Sequence, residues 1–241
     1  MSVSKPTPSA DTSLGEHQRK AADETVQAVL QQIQSNVDQV RTLTAELSMS
    51  KVKETKEKAK KKAEKTGTAP RAPKRTVKSG PMEISRSQGA RVSLTHKDET
   101  DEYVANNQTL WVYDHKAREA QYIPTSLPFI SGFVDAAMKM NVFAAMDTET
   151  IKNKGSQDVD GESCWVLEGK SPDKLKLAGV DPVKMRFWIS KKDGIPRRIS
   201  IPDEKDLVIS LKNVQVNSPV TESRFNFTPP AGVTQKNLFG F

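Results

Sequence analysis

Between Glu16 and Val40 the apolar positions Val26, Val29, Leu30, Ile33, Val37 and Val40 recur mostly at spacings of three and four. That is the stripe of a helix that lays one face on a core. At Leu43 the period changes to two. Leu43, Ala45, Leu47 and Met49 alternate with Thr42, Thr44, Glu46 and Ser48, which predicts a half-buried strand. Further short alternating pieces predict strands at 82–85, 90–95, 102–105, 110–114 and 120–123, and then at 163–168, 183–190, 196–202 and 207–216. A last short strand is predicted within 224-RFNFTPPAGV-233, stopped by Pro229-Pro230. Asn106-Asn107, Asp114-His115 and Asp193-Gly194 supply turn chemistry between them.

One segment breaks the alternation. In 127-LPFISGFVDAAMKMNVFAAM-146, Phe129, Phe133, Ala137 and Met140 share one helical line, with Ile130, Val134, Met138 and Phe143 beside it. The segment is apolar nearly all round yet too short to cross a bilayer. It predicts one helix, starting at Pro128 and buried against the sheet. Periodicity does not tell a plug from a lid. The order of elements is one helix, many strands, one apolar helix and more strands. It predicts an antiparallel sandwich or barrel rather than βαβ units.

Alternation also assigns faces. Leu110 and Val112 fall on one side of their strand, Trp111 and Tyr113 on the other. The first pair is expected to line an apolar interior and the second to cover the convex side or the rim; a slip of one residue would exchange them. The same reading gives an apolar lining of Leu47, Met49, Met82, Ile84, Val92, Leu94, Leu110, Val112, Met185, Phe187, Ile189, Ile199, Ile201 and Leu211. Met49, Met82, Met138, Met140 and Met185 make five of seven methionines in or beside these elements, and flexible thioethers suit a site that repacks around its guest.

Hydrophobic residues make up 35% and charged residues 28% of the 241, a polar balance that predicts disordered fractions. Residues 1–15, rich in Ser, Thr and Pro, are one; residues 16–241 are expected to form a single domain. The net charge of +7 would suggest nucleic acid until it is located. Residues 51–75 alone carry +8, so the remainder sums to −1. The lysines there, Lys58, Lys60, Lys61 and Lys62 among them, fit a solvated insertion, an anionic membrane surface or an acidic partner. No aromatics are interleaved for stacking on bases, and no nucleic acid is expected. The start, MSVSKPTPSADTSLG, has no apolar leader core. Two readings stay open: a cytoplasmic protein, or one whose leader has been removed.

Candidate chemistry is sparse. His17, His96 and His115 stand far apart, without metal-ligand spacing. Asp98, Glu99, Asp101 and Glu102 form an acidic cluster without the spacing of a calcium loop, read as a solvated turn. The single cysteine, Cys164, lies beside Trp165 in a strand and reads as a small buried hydrophobe, not a nucleophile. No catalytic residue, metal or cofactor is expected.

Several blocks in order resemble the LolA family of periplasmic lipoprotein carriers. They are the helix leading into 43-LTAELSMS, then 106-NNQTLWVYDHKAREAQYIP, 128-PFIS, 185-MRFWISKKDGIPRRISIPDEKDLVISLKNVQV and the ending 224-RFNFTPPAGV. The resemblance implies an unclosed antiparallel barrel of about eleven strands, with helices forming a lid over an apolar interior. It implies a monomeric periplasmic carrier that shields the acyl chains of lipoproteins, or lipids, between an inner-membrane ABC transporter and an outer-membrane receptor. It places a lid-holding arginine at Arg86, with Arg91 as the fallback; Ser87 stands where the family has proline. Alternatives on the same fold are a lipid- or lipoprotein-sensing envelope protein and, through residues 51–75, a nucleic-acid binder.

Overall fold

The computed structural model describes residues 26–52, 75–127, 134–172 and 182–238. The expected disorder at 1–15, most of the Lys-rich segment with its four named lysines, and Pro128, Phe129, Ile130 and Phe133 lie outside those residues. Within them the first helix, α1, occupies 26–38. Twelve strands follow: β1 (Thr42–Val52), β2 (Arg75–Ser85), β3 (Gly89–His96), β4 (Glu99–Ala105), β5 (Thr109–Asp114), β6 (Glu119–Pro124), β7 (Lys152–Val159), β8 (Glu162–Lys170), β9 (Lys184–Ser190), β10 (Pro196–Ile201), β11 (Leu207–Val216) and β12 (Thr234–Asn237). They form one sheet in the order β12-β6-β5-β4-β3-β2-β1-β11-β10-β9-β8-β7. The sheet is mainly antiparallel and unclosed, with β12 and β7 at its two edges. Only β12 on β6 is a parallel pairing.

One face of this sheet carries α1. Ile33, Val37 and Val40 of the helix pack with Leu43, Ala45, Met82, Ile84, Phe187 and Ile189 from the strands. The approach is close where α1 crosses the β9–β10 turn. Gly194 has φ 74°, and a Cβ on it would stand 2.7 Å from the carbonyl oxygen of Ile33 and from Val37 Cγ2. The Asp-Gly pair of the hairpin thus also makes room for the helix.

Four expectations are corrected. The 127–146 helix is not continuous: among the described residues α2 occupies 134–138 and ends there. It closes with Asn141 N–H donating to the Ala136 carbonyl (2.8 Å) and Met140 N–H to the Ala137 carbonyl (3.0 Å), with Met140 left-handed at φ 55°. This is a Schellman ending, hidden from sequence because methionine stands where glycine is usual. Asn141 and Asp147 then cap two 3-10 turns, Val142–Ala145 and Thr148–Thr150. Second, 224–233 is not a strand. A 3-10 turn, Glu222–Phe225, leads into an extended tail, because Arg91 and Asn106 draw off the Arg224 and Phe225 carbonyls. Third, β7 and β12 were not expected; both are polar and exposed along most of their length, so no alternation marks them. Fourth, the acidic cluster is not a solvated turn. Lys97 and Asp98 turn the chain, whereas Glu102 is buried in β4, paired with Arg91 and 3.5 Å from His115 Nε2.

Candidate functional site

Cross-strand register decides which side chains share the α1 face. Ala45 is opposite Met82, Met82 opposite Val92, Val92 opposite Tyr103, and Tyr103 opposite Val112. In the other direction Leu47 is opposite Leu211, Met49 opposite Ile209, Ile209 opposite Ile199, and Ile199 opposite Phe187. Since side chains alternate in a strand, all fourteen residues expected as the lining lie on this one face. Ile84, Leu94, Leu110, Met185, Ile189 and Ile201 join the others two residues along their strands.

The fourteen do not line one enclosed cavity. Met82, Ile84, Leu94, Phe187, Ile189 and Leu211 are buried, most of them beneath α1 and the 140–151 segment. Leu47, Met49, Val92, Leu110, Val112, Met185, Ile199 and Ile201 are half-buried. Among the described residues the face therefore has a packed half and an open half. The 140–151 segment seals the β8 side. Asp147 N–H donates to the Lys170 carbonyl (2.8 Å), and a Cβ on Gly169 would stand 2.6 Å from Met146 Cε. Val134 and Met138 of α2 sit on Ala105 and Ile123, with Leu110 beside them. Phe143 packs on the main core and Ala137 is half-buried.

Arg86 stands at the β2–β3 turn beside the end of α1. Its Nη2 donates to the Val37 carbonyl (2.6 Å) and its Nε to the Val40 carbonyl. The Val37 carbonyl also accepts the Val40 N–H (2.9 Å), and Val40 lies just past the helix, so the guanidinium braces the C-terminal end of α1 and the chain leaving it. Asn217 completes the brace, accepting from Arg41 N–H (2.7 Å) and donating to the Gln39 carbonyl (3.1 Å). Asn36 adds a third tie, donating to the Lys191 carbonyl (3.0 Å). The resemblance makes Arg86 the holder of a lid of helices; among the described residues its bonds go to α1 and none to the 127–146 segment. The two still meet across a cleft of about 240 Å³ lined by Arg86, Asn106, Thr125, Val134 and Met138 among others.

The tail covers the β3–β6 part of the opposite face. Trp111 and Tyr113 lie there, their rings 5.4 and 5.6 Å from Phe227, and Trp111 is 5.1 Å from Tyr122. Phe225 is fully buried against Gly89. Arg91, the fallback for Arg86, is on this side. It pairs with Glu102 and donates to the Arg224 carbonyl (3.0 Å), which fastens the tail and reaches neither α1 nor α2. Sequence reasoning missed this strap because its hold comes from side chains 119 to 141 residues away.

Further along the same face, Arg197 is buried between Asp193 (2.6 Å) and Glu162 (3.0 Å), at the base of a cleft of about 350 Å³. Cys164 is fully buried near this network, and burial pushes its thiol up to about 11, so it is not a thiolate at neutral pH. Among the described residues no group of His, Cys, Asp and Glu is arranged to hold a metal ion, and no helix is long and apolar enough to cross a membrane.

Among solved structures, an uncharacterized conserved protein from Thermus thermophilus is similar at a TM-score of 0.53 and 13% identity, covering 88% of this chain and 99% of that one. The lipoprotein LppX of Mycobacterium tuberculosis is similar at a TM-score of 0.48 and 14% identity, covering 83% and 98%. An outer membrane lipoprotein-sorting protein domain, described as putative, from Vibrio parahaemolyticus is similar at 0.40 and 11%, covering 83% and 95%. At these identities the likeness concerns fold alone. No curated protein matches the chain in sequence. Residues 22–237 match the family model described as "Predicted periplasmic protein (DUF2092)"; the chain belongs to that family and is a periplasmic protein.

Proposed function

We propose that the protein is a periplasmic carrier that receives the acyl chains of lipoproteins or lipids on the open half of its α1 face. The observation that carries this reading is the run of half-buried Leu47, Met49, Ile199, Ile201 and Met185, contiguous with the core and uncovered by α1. An exposed apolar patch continuous with a core marks a place where something apolar binds. The LolA resemblance supplies the class of guest. Each buried CH₂ contributes about 0.8 kcal/mol, so a chain half-covered on an open face binds by several kcal/mol and can still leave. Full enclosure of several chains would hold them too tightly for a carrier. In this reading Arg86 holds the α1 part of the cover, and delivery runs from an inner-membrane transporter to an outer-membrane receptor.

The test is saturable binding of an environment-sensitive apolar dye, displaced by an acylated peptide but not by the same peptide without its chain. Binding no tighter than to an unrelated β protein would overturn the reading. A second reading, a lipid-responsive envelope protein that senses and does not ferry, is favoured by the three ties that fix α1. Transfer of a bound acylated peptide to acceptor vesicles separates the two, since a sensor binds without transfer.

A further inference from the structure

The outer face of the sheet, away from α1, changes character at β7–β10. Register sets Lys170 directly opposite Lys184, and Arg186 opposite Glu168. Lys152 is also opposite Glu168, and Arg198 is opposite Trp188. Lys152, Lys154, Lys170, Lys184 and Arg186 are exposed. Arg186 and Arg198 lie over the Trp188 ring, at 5.9 and 5.6 Å from its centre. Six cations are thus gathered at one corner of the sheet. Among the described strand residues of that corner's outer face, the facing carboxylate is Glu168, bonded to Arg186 at 2.5 Å. That bond, together with the charges of Arg186, Lys154 and Lys184, holds the Glu168 carboxyl below the usual carboxylate range, against a push upward from burial. Asp203, from the turn after β10, accepts from the Lys184 backbone N–H at 3.3 Å, so among the described residues six cations stand against these two carboxylates and the patch keeps a positive excess. Like charges directly opposed on a sheet face also repel, and a protein that places Lys170 against Lys184 gains from an anionic surface laid over them.

From this we infer that the outer corner of β7–β10 docks on an anionic phospholipid bilayer. The geometry favours a plane of charge over a small anion. The cations are spread across four neighbouring strands, and long lysines on a pleated surface suit many headgroups at once. The patch also adjoins the open half of the α1 face. In β9, Lys184 and Arg186 point outward while Met185 between them points to the apolar side, so the cationic corner and the open half of the apolar face back onto each other across the same strand. The purpose of the contact rests on the carrier reading; its detection does not. Charge on the folded corner is separate from residues 53–74, and a charge-matched comparison tells the two apart.

The experiment is cosedimentation of the full chain with vesicles of phosphatidylcholine alone, or of phosphatidylcholine mixed with phosphatidylglycerol, at low and high salt. The Lys170→Glu/Lys184→Glu variant is compared with Lys139→Glu/Lys192→Glu, which makes the same change of net charge at exposed sites elsewhere. The expected result is binding to the mixed vesicles only, lost at high salt as screening requires. The corner variant should bind at least about tenfold more weakly, at about 1 kcal/mol per basic residue near such a surface, while the control falls far less. Equal losses in the two variants would assign the binding to overall charge or to residues 53–74 and overturn the proposal. Absence of vesicle binding would overturn it too, and leave an acidic protein as the partner of this face. Dye binding by the same samples reports on the carrier reading alone, so either idea can fail without the other.

Discussion

The Arg86 guanidinium donates to the Val37 carbonyl at 2.6 Å across the junction of the β2–β3 turn and the first helix. With its second bond to Val40, one side chain binds two carbonyls at and just past the end of α1. Hydrogen bonds to charged groups contribute about 1.5–3 kcal/mol each in favourable settings. Arg86 is partly exposed, its side chain 26% accessible, so the lower end applies. Arg86→Leu should therefore lower stability by about 2 kcal/mol in urea unfolding. Arg86→Lys keeps the charge but not the fork and should recover less than half of that. If Arg86 also governs access to the apolar face, the leucine variant binds and releases the dye faster. Unchanged dye kinetics would leave Arg86 as a brace of α1 and no more.

Gly194 gives a second measure of how firmly α1 is seated. Alanine there meets both a left-handed backbone at φ 74° and the carbonyl oxygen of Ile33 at 2.7 Å. Gly155, at φ 93°, would meet nothing within 4 Å, so its alanine variant carries the backbone cost alone. That cost is about 1–3 kcal/mol. Gly194→Ala should cost at least about 1 kcal/mol more than Gly155→Ala, the excess measuring the contact with α1. Equal losses in the two variants would mean that the helix shifts away without penalty.

Much of this architecture was legible in the residues. Period-two alternation located ten of the twelve strands, and it set Leu110 and Val112 on the face opposite Trp111 and Tyr113, because side-chain parity survives errors in strand ends. What alternation could not carry was everything held from a distance. β12 pairs with β6 through a polar stretch, Thr234–Asn237, and the Phe225–Phe227 strap depends on Arg91, Asn106 and the aromatic rings of β5. The end of α2 was hidden by a left-handed methionine. The division of the apolar face into a packed and an open half was not legible either, since Ile189 and Ile201 alternate in the same way and only α1 and the 140–151 segment distinguish them.

That division makes a separable prediction. Met49 and Ile201 are half-buried on the open half, whereas Phe187 is 1% exposed beneath α1. Phe187→Ala should cost about 3–5 kcal/mol of stability, as large-to-small changes in a core do. Met49→Asp and Ile201→Asp should each cost about 1 kcal/mol or less, yet weaken dye or acylated-peptide binding at least about tenfold, because the new charge is desolvated only when a chain lies over it. Binding unaffected by either aspartate would move the acyl site off this half of the face.

The buried Arg197 network gives the protein an acid-sensitive corner. Burial pushes the Glu162 carboxyl upward, but the hydrogen bond from Ser190 and the charge of Arg197 outweigh it, so the group sits below its ordinary value. A carboxylate with a depressed folded pKa contributes stability that is present above the unfolded value, about 4.3, and is lost as pH falls through the folded value. Arg197 stays charged throughout; burial alone would lower its pKa, but its bond to Asp193 and the two carboxylate charges raise it. Urea midpoints measured from neutral pH to about pH 3 should therefore fall more steeply for the natural protein than for Glu162→Gln. The glutamine variant starts lower, because Arg197 is then left with Asp193 alone, and the two curves should converge in acid once Glu162 is protonated. Parallel curves would mean that the Glu162–Arg197 pair adds nothing to the pH dependence of folding. The position of Glu162 at the base of a cleft would then be the better guide to its role.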